Sequence, residues 1–251
     1  MDLALTDRVY VVSGGSRGLG RASADVLVGE GARVVVSGRD ADGVDRAAAE
    51  LGERAVGVVA DNADPDTPAR LVEAATTAWG RLDGALVSVG GPPRGAVTEI
   101  TDEQWTASFS GVFLGAVRLC REVATRLDDG GSIALVLSTS VRTPIGDLAI
   151  SNGLRPGLAM VAKTLADELG PRGIRVNGLL PGRIETERTA ELWAAAPDTQ
   201  AARASAADGI PLGRLGRPTE FGRVAAFLLS PAASYLTGAM VAVDGGLTRA
   251  L

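Results

Sequence analysis

Short apolar runs alternate along the chain with longer amphipathic stretches. The valine-rich runs lie at 8–13, 33–37, 55–60, 85–89, 132–138, 174–180 and 240–243, and helical patterns lie between them near 18–29, 41–51, 66–79, 102–127, 152–169 and 219–230. Runs that are apolar throughout are typical of strands covered on both faces of a parallel sheet. The alternation of such strands with helices therefore predicts an α/β fold, with helices on both faces of a parallel sheet.

The chain is predicted to form one domain. Its 251 residues fit one large α/β domain or two small ones, but no proline- or serine-rich linker and no change in composition divides residues 1–251. An alanine-rich stretch at 187–210 lies outside the strand pattern, just before the last helix. We expect this stretch to form a helical insertion that acts as a lid.

A glycine-rich segment follows the first predicted strand and opens the first helix. It reads SGGSRGLG at 13–20, so its glycines are spaced GxxxGxG. Glycine lets the backbone turn tightly and approach a pyrophosphate, and the helix N-terminus that follows supplies N–H donors and a positive dipole. Because the segment joins a strand to a helix, we interpret it as a dinucleotide-binding turn rather than an ordinary loop. The predicted contacts are Gly14, Ser16, Arg17, Gly18, Leu19 and Gly20.

The end of the second predicted strand indicates which dinucleotide is bound. A fold that selects NAD places an acid there to bind the ribose 2′-hydroxyl, whereas this chain has Gly38 followed by Arg39. Together with Arg17 in the glycine-rich turn, Arg39 favours a 2′-phosphate, which predicts NADP rather than NAD. Asp40 and Asp42 are the alternative acids, but a cap and a first-turn charge for the helix at 41–51 are the preferred interpretation.

Composition and charge exclude several kinds of protein. The chain has one cysteine and no histidine, so it has no internal disulfide and no histidine-dependent triad, and we expect no metal site. A formal net charge of −5 argues against binding to nucleic acid, and no apolar run reaches the length of a membrane span. The first residues carry charges and lack the layout of a signal peptide, so we expect a cytoplasmic protein.

The motifs together resemble those of the short-chain dehydrogenase/reductase family, and most of all the layout of 3-oxoacyl-(acyl-carrier-protein) reductases. The resemblance rests on the segments 13–20, 131–138, 175–177, 181–186 and 235–246, and on Asp61. The family implies a Rossmann-type, doubly wound sheet of seven parallel strands, a nicotinamide cofactor and a small-molecule substrate. It also implies a homotetramer or homodimer, in which the last helix and the segment 235–246 form subunit contacts.

The same resemblance implies further cofactor contacts. Residues that match Asp61 and Asn62 contact the adenine in this family, and the residue that matches Gly90 lies in the ribose region. The segment 181–186 lies on the nicotinamide side. Its implied contacts in this chain are Pro181, Gly182, Ile184 and Thr186.

The catalytic positions depart from the family pattern. The family uses a serine at the end of a strand, a tyrosine and a lysine four residues apart on the next helix, and an asparagine on the long helix before them. Here the serine is kept as Ser138, but Ser151 stands at the tyrosine position, Arg155 at the lysine position and Val112 at the asparagine position. A shifted alignment does not restore the pair, because neither of the two tyrosines precedes the single lysine by four residues.

The residues that remain still offer chemistry. Arg155 could hold the ribose and, with Ser138, stabilise a developing alkoxide, because arginine stays charged at any working pH. Ser151 is a poor proton donor, so water positioned by Ser138 and Ser151 would supply the proton. Alternatively, Ser151 only caps the next helix. Pro156 fits the first turn of a helix but not its interior, which predicts that this helix starts near 154–156, with Arg155 at its entrance.

The sequence is compatible with three functions. An NADP-dependent oxidoreductase acting on a carbonyl or similar unsaturated small molecule is favoured by the intact segment 181–186. A catalytically silent NADP-binding protein is favoured by the lost tyrosine, lysine and asparagine, and a non-redox isomerase or dehydratase is a third reading. Arg94, in a stiff Gly-Pro-Pro loop after the fourth strand, could contact an anionic substrate, with a solvated loop arginine as the alternative.

Overall fold

One parallel sheet organises the computed structural model, which describes residues 2–187, 189–190 and 198–250. Its strands are β1 (Val9–Val12), β2 (Arg33–Gly38), β3 (Ala55–Val59), β4 (Gly84–Val87), β5 (Ser132–Val136), β6 (Arg175–Pro181) and β7 (Met240–Val243). They lie in the order β3-β2-β1-β4-β5-β6-β7, and every neighbouring pair is parallel. The predicted doubly wound, seven-stranded α/β fold is confirmed.

Helices connect the strands and cover both faces of the sheet. They are α1 (Gly18–Gly29), α2 (Ala41–Leu51), α3 (Thr67–Trp79), α4 (Asp102–Ser108), α5 (Gly115–Arg126), α6 (Ala149–Leu169), α7 (Thr199–Ala207) and α8 (Pro218–Leu229). A π-helical segment, Phe109–Leu114, joins α4 to α5. The helical insertion expected at 187–210 contains α7, but residues 188 and 191–197 lie outside the described residues. None of the helices in the described ranges is both long and apolar enough to cross a membrane.

Each face of the sheet has its own apolar core, and the alternation of side chains along β1 separates the two. Val9 and Val11 belong to the core shared with α3, α5 and α6, whereas Tyr10 and Val12 belong to the core shared with α1 and α8. All four side chains are buried, because successive side chains of a strand point to opposite faces. A sheet covered on both faces explains why the runs in the sequence are apolar throughout.

Helices α1 and α8 pack closely on one face of the sheet. A Cβ added at Gly222 would lie 2.5 Å from the carbonyl oxygen of Ala22, so glycine is needed for this approach. The buried Arg175 of β6 donates to the carbonyls of Leu228 at 2.7 Å and Ser230 at 2.9 Å, at the end of α8. These contacts hold α1 in place and thereby position its N-terminus at the carboxyl edge of the sheet.

Helix α6 begins earlier than the sequence predicts. The expected start near 154–156 is wrong, because α6 starts at Ala149 and Pro156 lies inside it. Ser151 is therefore part of the helix rather than its cap. Arg155 lies on the helical face that packs against the sheet, not at a helix entrance, and its side chain is buried.

Tertiary contacts explain the early start of α6. The side chain of Asn152 donates to the carbonyl of Ile145 at 2.8 Å and accepts from the Ile145 N–H at 3.1 Å. The N–H of Asn152 also donates to the carbonyl of Leu148 at 2.8 Å, which closes the first turn. A proline in a helix removes one main-chain hydrogen bond, and these contacts hold the turn before Pro156 in spite of that loss.

Candidate functional site

A cavity of about 2150 Å³ opens at the carboxyl edge of the sheet. Residues that follow β1, β2, β3, β4, β5 and β6 all line it. The strand order reverses at β1, whose neighbours are β2 and β4, and ligands of open α/β sheets bind beside such a reversal. Since a pocket for one small molecule measures about 300–1,000 Å³, this cavity has room for a dinucleotide together with a substrate.

The glycine-rich turn is held between the ends of β2 and β4. The N–H of Gly15 donates to the carbonyl of Ser37 at 2.8 Å, and the hydroxyl of Ser13 donates to the carbonyl of Ser88 at 2.9 Å. Gly14 has a φ of 58°, and a Cβ there would lie 2.7 Å from the Ser88 carbonyl oxygen. Only glycine combines this left-handed backbone with so close an approach.

The N-terminus of α1 faces the cavity and already holds a carboxylate. The N–H of Gly18 donates to Oε2 of Glu187 at 3.0 Å. A helix N-terminus attracts anions through its free N–H groups and its dipole, so the Glu187 carboxylate stands where an oxygen of a pyrophosphate would bind. This occupant indicates that the turn suits the phosphates of a dinucleotide.

Arginines surround the far end of the cavity, beyond the end of β2. Arg39 lies directly after the strand, Arg46 projects from α2, and both line the cavity. Within the described part of the chain, neither makes a hydrogen bond or an ion pair. Arg46 was not among the residues expected from the sequence, although its position seven residues after Arg39, on the helix that follows β2, was a usable signal.

The acid that follows β2 is engaged as a helix cap. The Asp40 carboxylate accepts from the N–H of Gly43 at 3.0 Å and caps α2, as the preferred interpretation predicted. A Cβ added at Gly38 would lie 2.5 Å from Oγ of Ser16. The close approach of the glycine-rich turn therefore leaves little space for an acidic side chain at position 38.

The other residues expected to bind the cofactor line the same cavity. They are Arg17, Leu19, Gly20, Asp61, Asn62, Gly90, Pro181, Gly182, Ile184 and Thr186. The Asp61 carboxylate accepts from the N–H of Ala63 at 2.9 Å and shapes the loop after β3. The N–H of Thr186 donates to Oγ1 of Thr189 at 2.7 Å, which holds the loop after β6.

Ser138 and Arg155 line the same cavity from different elements. Ser138 follows β5, and its Oγ accepts from the N–H of Ser140 at 3.1 Å. The guanidinium of Arg155 reaches across from α6 and donates to the carbonyls of Val136 at 2.6 Å and Val89 at 3.5 Å. Arg155 thus ties α6 to the ends of β4 and β5 and brings a charged group to the edge of the sheet.

Ser151 is not among the residues that line the cavity. Its side chain is buried, and its Oγ lies 3.2 Å from Oγ of Ser140. Ser140, which the sequence analysis did not single out, also donates its N–H to Ser138. The structure therefore brings Ser138 and Arg155 into the cavity, whereas Ser151 reaches Ser138 only through Ser140.

Val112 lies in the π-helical segment between α4 and α5, and it lines the cavity. The predicted helix at 102–127 thus continues through this segment, and π-helical turns are frequent at functional sites. Because the valine side chain has no polar atom, it holds neither a substrate oxygen nor a water molecule by hydrogen bonds.

The titratable side chains that line the described cavity are arginines, aspartates and glutamates only. One of them, Glu103, has its carboxyl pKa lowered, chiefly by the hydrogen bond from the side chain of Thr101. As residue types, carboxylic acids and guanidiniums are inefficient proton donors near neutral pH. The described lining therefore offers no evident general acid.

Comparison with known proteins identifies the family. A family model described as enoyl-(acyl carrier protein) reductase matches residues 14–248. Cis-4-hydroxycyclohexanecarboxylate dehydrogenase of Sinomonas cyclohexanicum is 36% identical over 99% of both chains.

Solved structures are similar over the whole length. L-sorbose reductase of Gluconobacter frateurii, complexed with NADPH and L-sorbose, is 31% identical, with a TM-score of 0.94 over 100% of both chains. A short-chain oxidoreductase of Pseudomonas aeruginosa PAO1, described as containing an atypical catalytic center, is 30% identical, with a TM-score of 0.91 over 97% of this chain and 98% of its own. The chain therefore belongs to the short-chain dehydrogenase/reductase family of NAD(P)-dependent oxidoreductases.

Proposed function

We propose that the protein is an NADP-dependent oxidoreductase of a carbonyl or similar unsaturated small molecule, with Ser138 and Arg155 as its catalytic group. The observation that carries the proposal is that the Ser138 hydroxyl, the buried Arg155 and the glycine-rich turn all line one cavity. Relatives of this chain include a dehydrogenase of a hydroxylated ring acid and a reductase of a ketose, which supports a carbonyl–alcohol pair.

In this mechanism the nicotinamide, when bound, supplies or accepts the hydride. The hydroxyl of Ser138 donates a hydrogen bond to the substrate oxygen, and Arg155 stabilises the negative charge that develops there during reduction. A guanidinium has five N–H donors, so Arg155 can keep its bonds to the strand carbonyls and still point a donor at the ribose or the substrate. Ser151 supports Ser138 through Ser140.

Water supplies the proton in the proposed reaction, because the described lining offers no general acid. Loss of general acid catalysis lowers a rate by about 10²- to 10⁴-fold. We therefore expect turnover of ketones that is slow but measurable.

NADPH consumption should be followed across ketones, quinones and imines, and binding of NADPH without its oxidation by any of them would favour a catalytically silent protein. Product formed without consumption of cofactor would favour an isomerase or dehydratase.

We propose NADP rather than NAD as the cofactor. Arg17, Arg39 and Arg46 would surround the 2′-phosphate, and a charge-assisted hydrogen bond contributes about 1.5–3 kcal/mol. Replacement Arg39→Ala is expected to weaken NADPH binding about tenfold or more and to leave NADH binding nearly unchanged. Titration calorimetry with both cofactors measures this, and Arg121→Ala on the exposed face of α5 is the matched control. Equal affinity of the unaltered protein for both cofactors would contradict the proposal.

We also propose a homotetramer or homodimer in the cytoplasm. Support for assembly comes from large apolar side chains that the single chain leaves exposed, namely Met160 on α6 and Tyr235 and Leu236 before β7. The buried free thiol of Cys120 is compatible with a reducing compartment. Light scattering coupled to gel filtration tests the assembly, and a monomer at micromolar concentration would contradict it.

A further inference from the structure

We propose that the substrate carries a carboxylate and that Arg94 binds it. This inference rests on the proposed oxidoreductase function and names the substrate class of the same site. Arg94 lies in the loop after β4, and it lines the same cavity as Ser138 and Arg155. Its side chain is exposed, and it makes no hydrogen bond or ion pair with any other described residue.

The backbone that carries Arg94 is held in place on both sides. Pro92 and Pro93 precede it, and proline restricts φ to about −65°. Directly after it, the N–H of Gly95 donates to the carbonyl of Asp147 at 2.9 Å, and the Gly95 carbonyl accepts from the N–H of Ala149 at 3.3 Å. Arg94 is thus attached to the start of α6, the helix that carries Arg155. A guanidinium on a fixed backbone loses less conformational freedom when it binds a ligand.

The substrate end of the cavity is the part lined by the loops after β4, β5 and β6, by α4 with its π-helical segment, and by residues 247–249. Among the described residues, the charged side chains of this part are Arg94, Glu103, Arg183, Glu187 and Arg249, and Arg155 reaches it from α6. Positive charge therefore exceeds negative charge there, although the whole chain has a net charge of −5. A cleft lined by one sign of charge raises the local concentration of oppositely charged ligands.

Half of these six charged groups are already bonded to backbone atoms of the protein. Arg155 donates to the carbonyl of Val136, and Arg183 donates to the carbonyl of Ala206 at 2.8 Å. The Glu187 carboxylate accepts from the N-terminus of α1. Arg94 and Arg249 are left without a partner among the described residues.

Two acids contact the backbone of the Arg94 loop, and neither forms an ion pair with Arg94. The carboxylate of Glu99 accepts from the N–H of Ala96 at 3.2 Å, and Asp147 contributes its backbone carbonyl to the loop but does not line the cavity. Arg94 therefore remains a charged donor at the mouth of the site. The fork of a guanidinium matches the two oxygens of a carboxylate, which it binds through paired hydrogen bonds.

Binding of unreactive probes to the protein–NADPH complex tests the inference without turnover. The matched probes are cyclohexanecarboxylate and the neutral cyclohexanecarboxamide, and calorimetry measures their affinities. We expect the carboxylate to bind about tenfold more tightly than the amide, a preference that fits one partly exposed charge-assisted hydrogen bond. The preference should weaken at high salt, because ions screen an exposed charge.

Variants test whether Arg94 causes the preference for the carboxylate over the amide. Arg94→Ala should abolish it, Arg94→Lys should keep part of it, and Arg121→Ala, which removes the same charge from a remote surface, should keep all of it. Equal affinity for both probes in the unaltered protein, or an undiminished preference in Arg94→Ala, would overturn the inference.

Turnover separates this inference from the proposed function. The reducible pair 4-oxocyclohexanecarboxylate and its amide should differ about tenfold in kcat/KM, and Arg94→Ala should bring the two values together. If neither ketone is reduced but the probes still show an Arg94-dependent preference, the proposed function fails and the carboxylate site stands. If both ketones are reduced equally well, the proposed function stands and the carboxylate site fails.

Discussion

Arg155 shows at the scale of one residue what a guanidinium changes at a position where the resemblance to the family predicts a lysine. Its side chain is buried and donates to carbonyls at the ends of β5 and, more weakly, β4. A lysine ammonium has three donors at one point, whereas a guanidinium spreads five over a plane. Arg155 can therefore join two strands and still face the cavity, but it does not readily release a proton.

Replacement of Arg155 or Ser138 is expected to reduce catalysis by different routes. Ser138→Ala removes one donor to the developing oxyanion and should lower kcat about 10²- to 10³-fold with little change in NADPH affinity. Arg155→Ala should lower kcat and also weaken NADPH binding, since the cation would hold the ribose as well. Steady-state kinetics and NADPH titration separate the two effects.

Arg155→Lys is the informative control for that prediction, because it keeps the charge but loses the planar fork. It should retain more activity than Arg155→Ala. If both alanine variants turn over substrate at the unaltered rate, Ser138 and Arg155 are not the catalytic group.

At the scale of secondary-structure elements, the N-terminus of α1 has two possible anionic partners. Glu187 occupies it through the N–H of Gly18 in this structure, and a bound pyrophosphate would use the same donors. The two anions cannot share one N–H without repulsion. We therefore expect Glu187 to move away from the turn when a cofactor binds.

Glu187→Gln is expected to tighten NADPH binding. The amide removes a negative charge that competes for the helix N-terminus, and a charge at such a site contributes about 0.3–1 kcal/mol, which corresponds to about twofold to fivefold in affinity. Fluorescence titration with NADPH measures the change, with Glu73→Gln on the exposed face of α3 as the control. Weaker binding in Glu187→Gln would show that the carboxylate assists the cofactor instead of competing with it.

Pro156→Ala is expected to stabilise helix α6. Pro156 lies inside the helix, where proline is about 3 kcal/mol less favourable than alanine, and alanine restores an N–H that can donate to the carbonyl of Asn152. We expect the free energy of unfolding to rise by about 1–3 kcal/mol in urea titrations. Lower stability would mean that the proline ring itself is needed for the packing of α6.

At the scale of the whole molecule, the single sheet brings the residues of the site to one edge. The phosphate-binding turn, the arginines after β2, Ser138 and the segment 181–186 come from distant parts of the chain, yet all face one cavity. Parallel strands bring their carboxyl ends to one edge, so loops far apart in sequence meet there. The stability of this sheet and its helices is therefore a condition for the site as a whole.

Acid should weaken the whole fold partly through Glu220 at the start of α8. The hydrogen bond from the side chain of Arg214 lowers the pKa of Glu220 from its usual 4.5 to about 2. A carboxyl with a depressed pKa in the folded state stabilises the fold above its ordinary pKa, and this contribution is lost as the pH falls from 4.5 towards 2. Glu220→Gln should be less stable than the unaltered chain at neutral pH. The difference between their free energies of unfolding should narrow as the pH falls through that range.

Urea unfolding at several pH values measures the difference. Glutamine keeps an oxygen that can accept from the N–H of Arg217, as Glu220 does at 2.8 Å, so the comparison isolates the charge. A difference that stays constant with pH would contradict the role of the ion pair.

The sequence by itself determined the fold and the glycine-rich turn that forms part of the cavity wall. Apolar runs alternating with helices specify a covered parallel sheet, and the glycines at 13–20 specify a turn whose backbone only glycine can adopt. These features are local: each depends on the conformational freedom or the burial of residues next to one another. For the same reason Asp40 was recognisable from the sequence as the cap of α2.

Tertiary structure alone decided where α6 begins and which serine faces the cavity. The first turn of α6 depends on Asn152 meeting Ile145, and Ser151 lies against Ser140 instead of lining the cavity. The carboxylate of Glu187 likewise reaches Gly18 from far along the chain. Such contacts depend on how completed elements pack, and no local pattern of the sequence encodes that geometry.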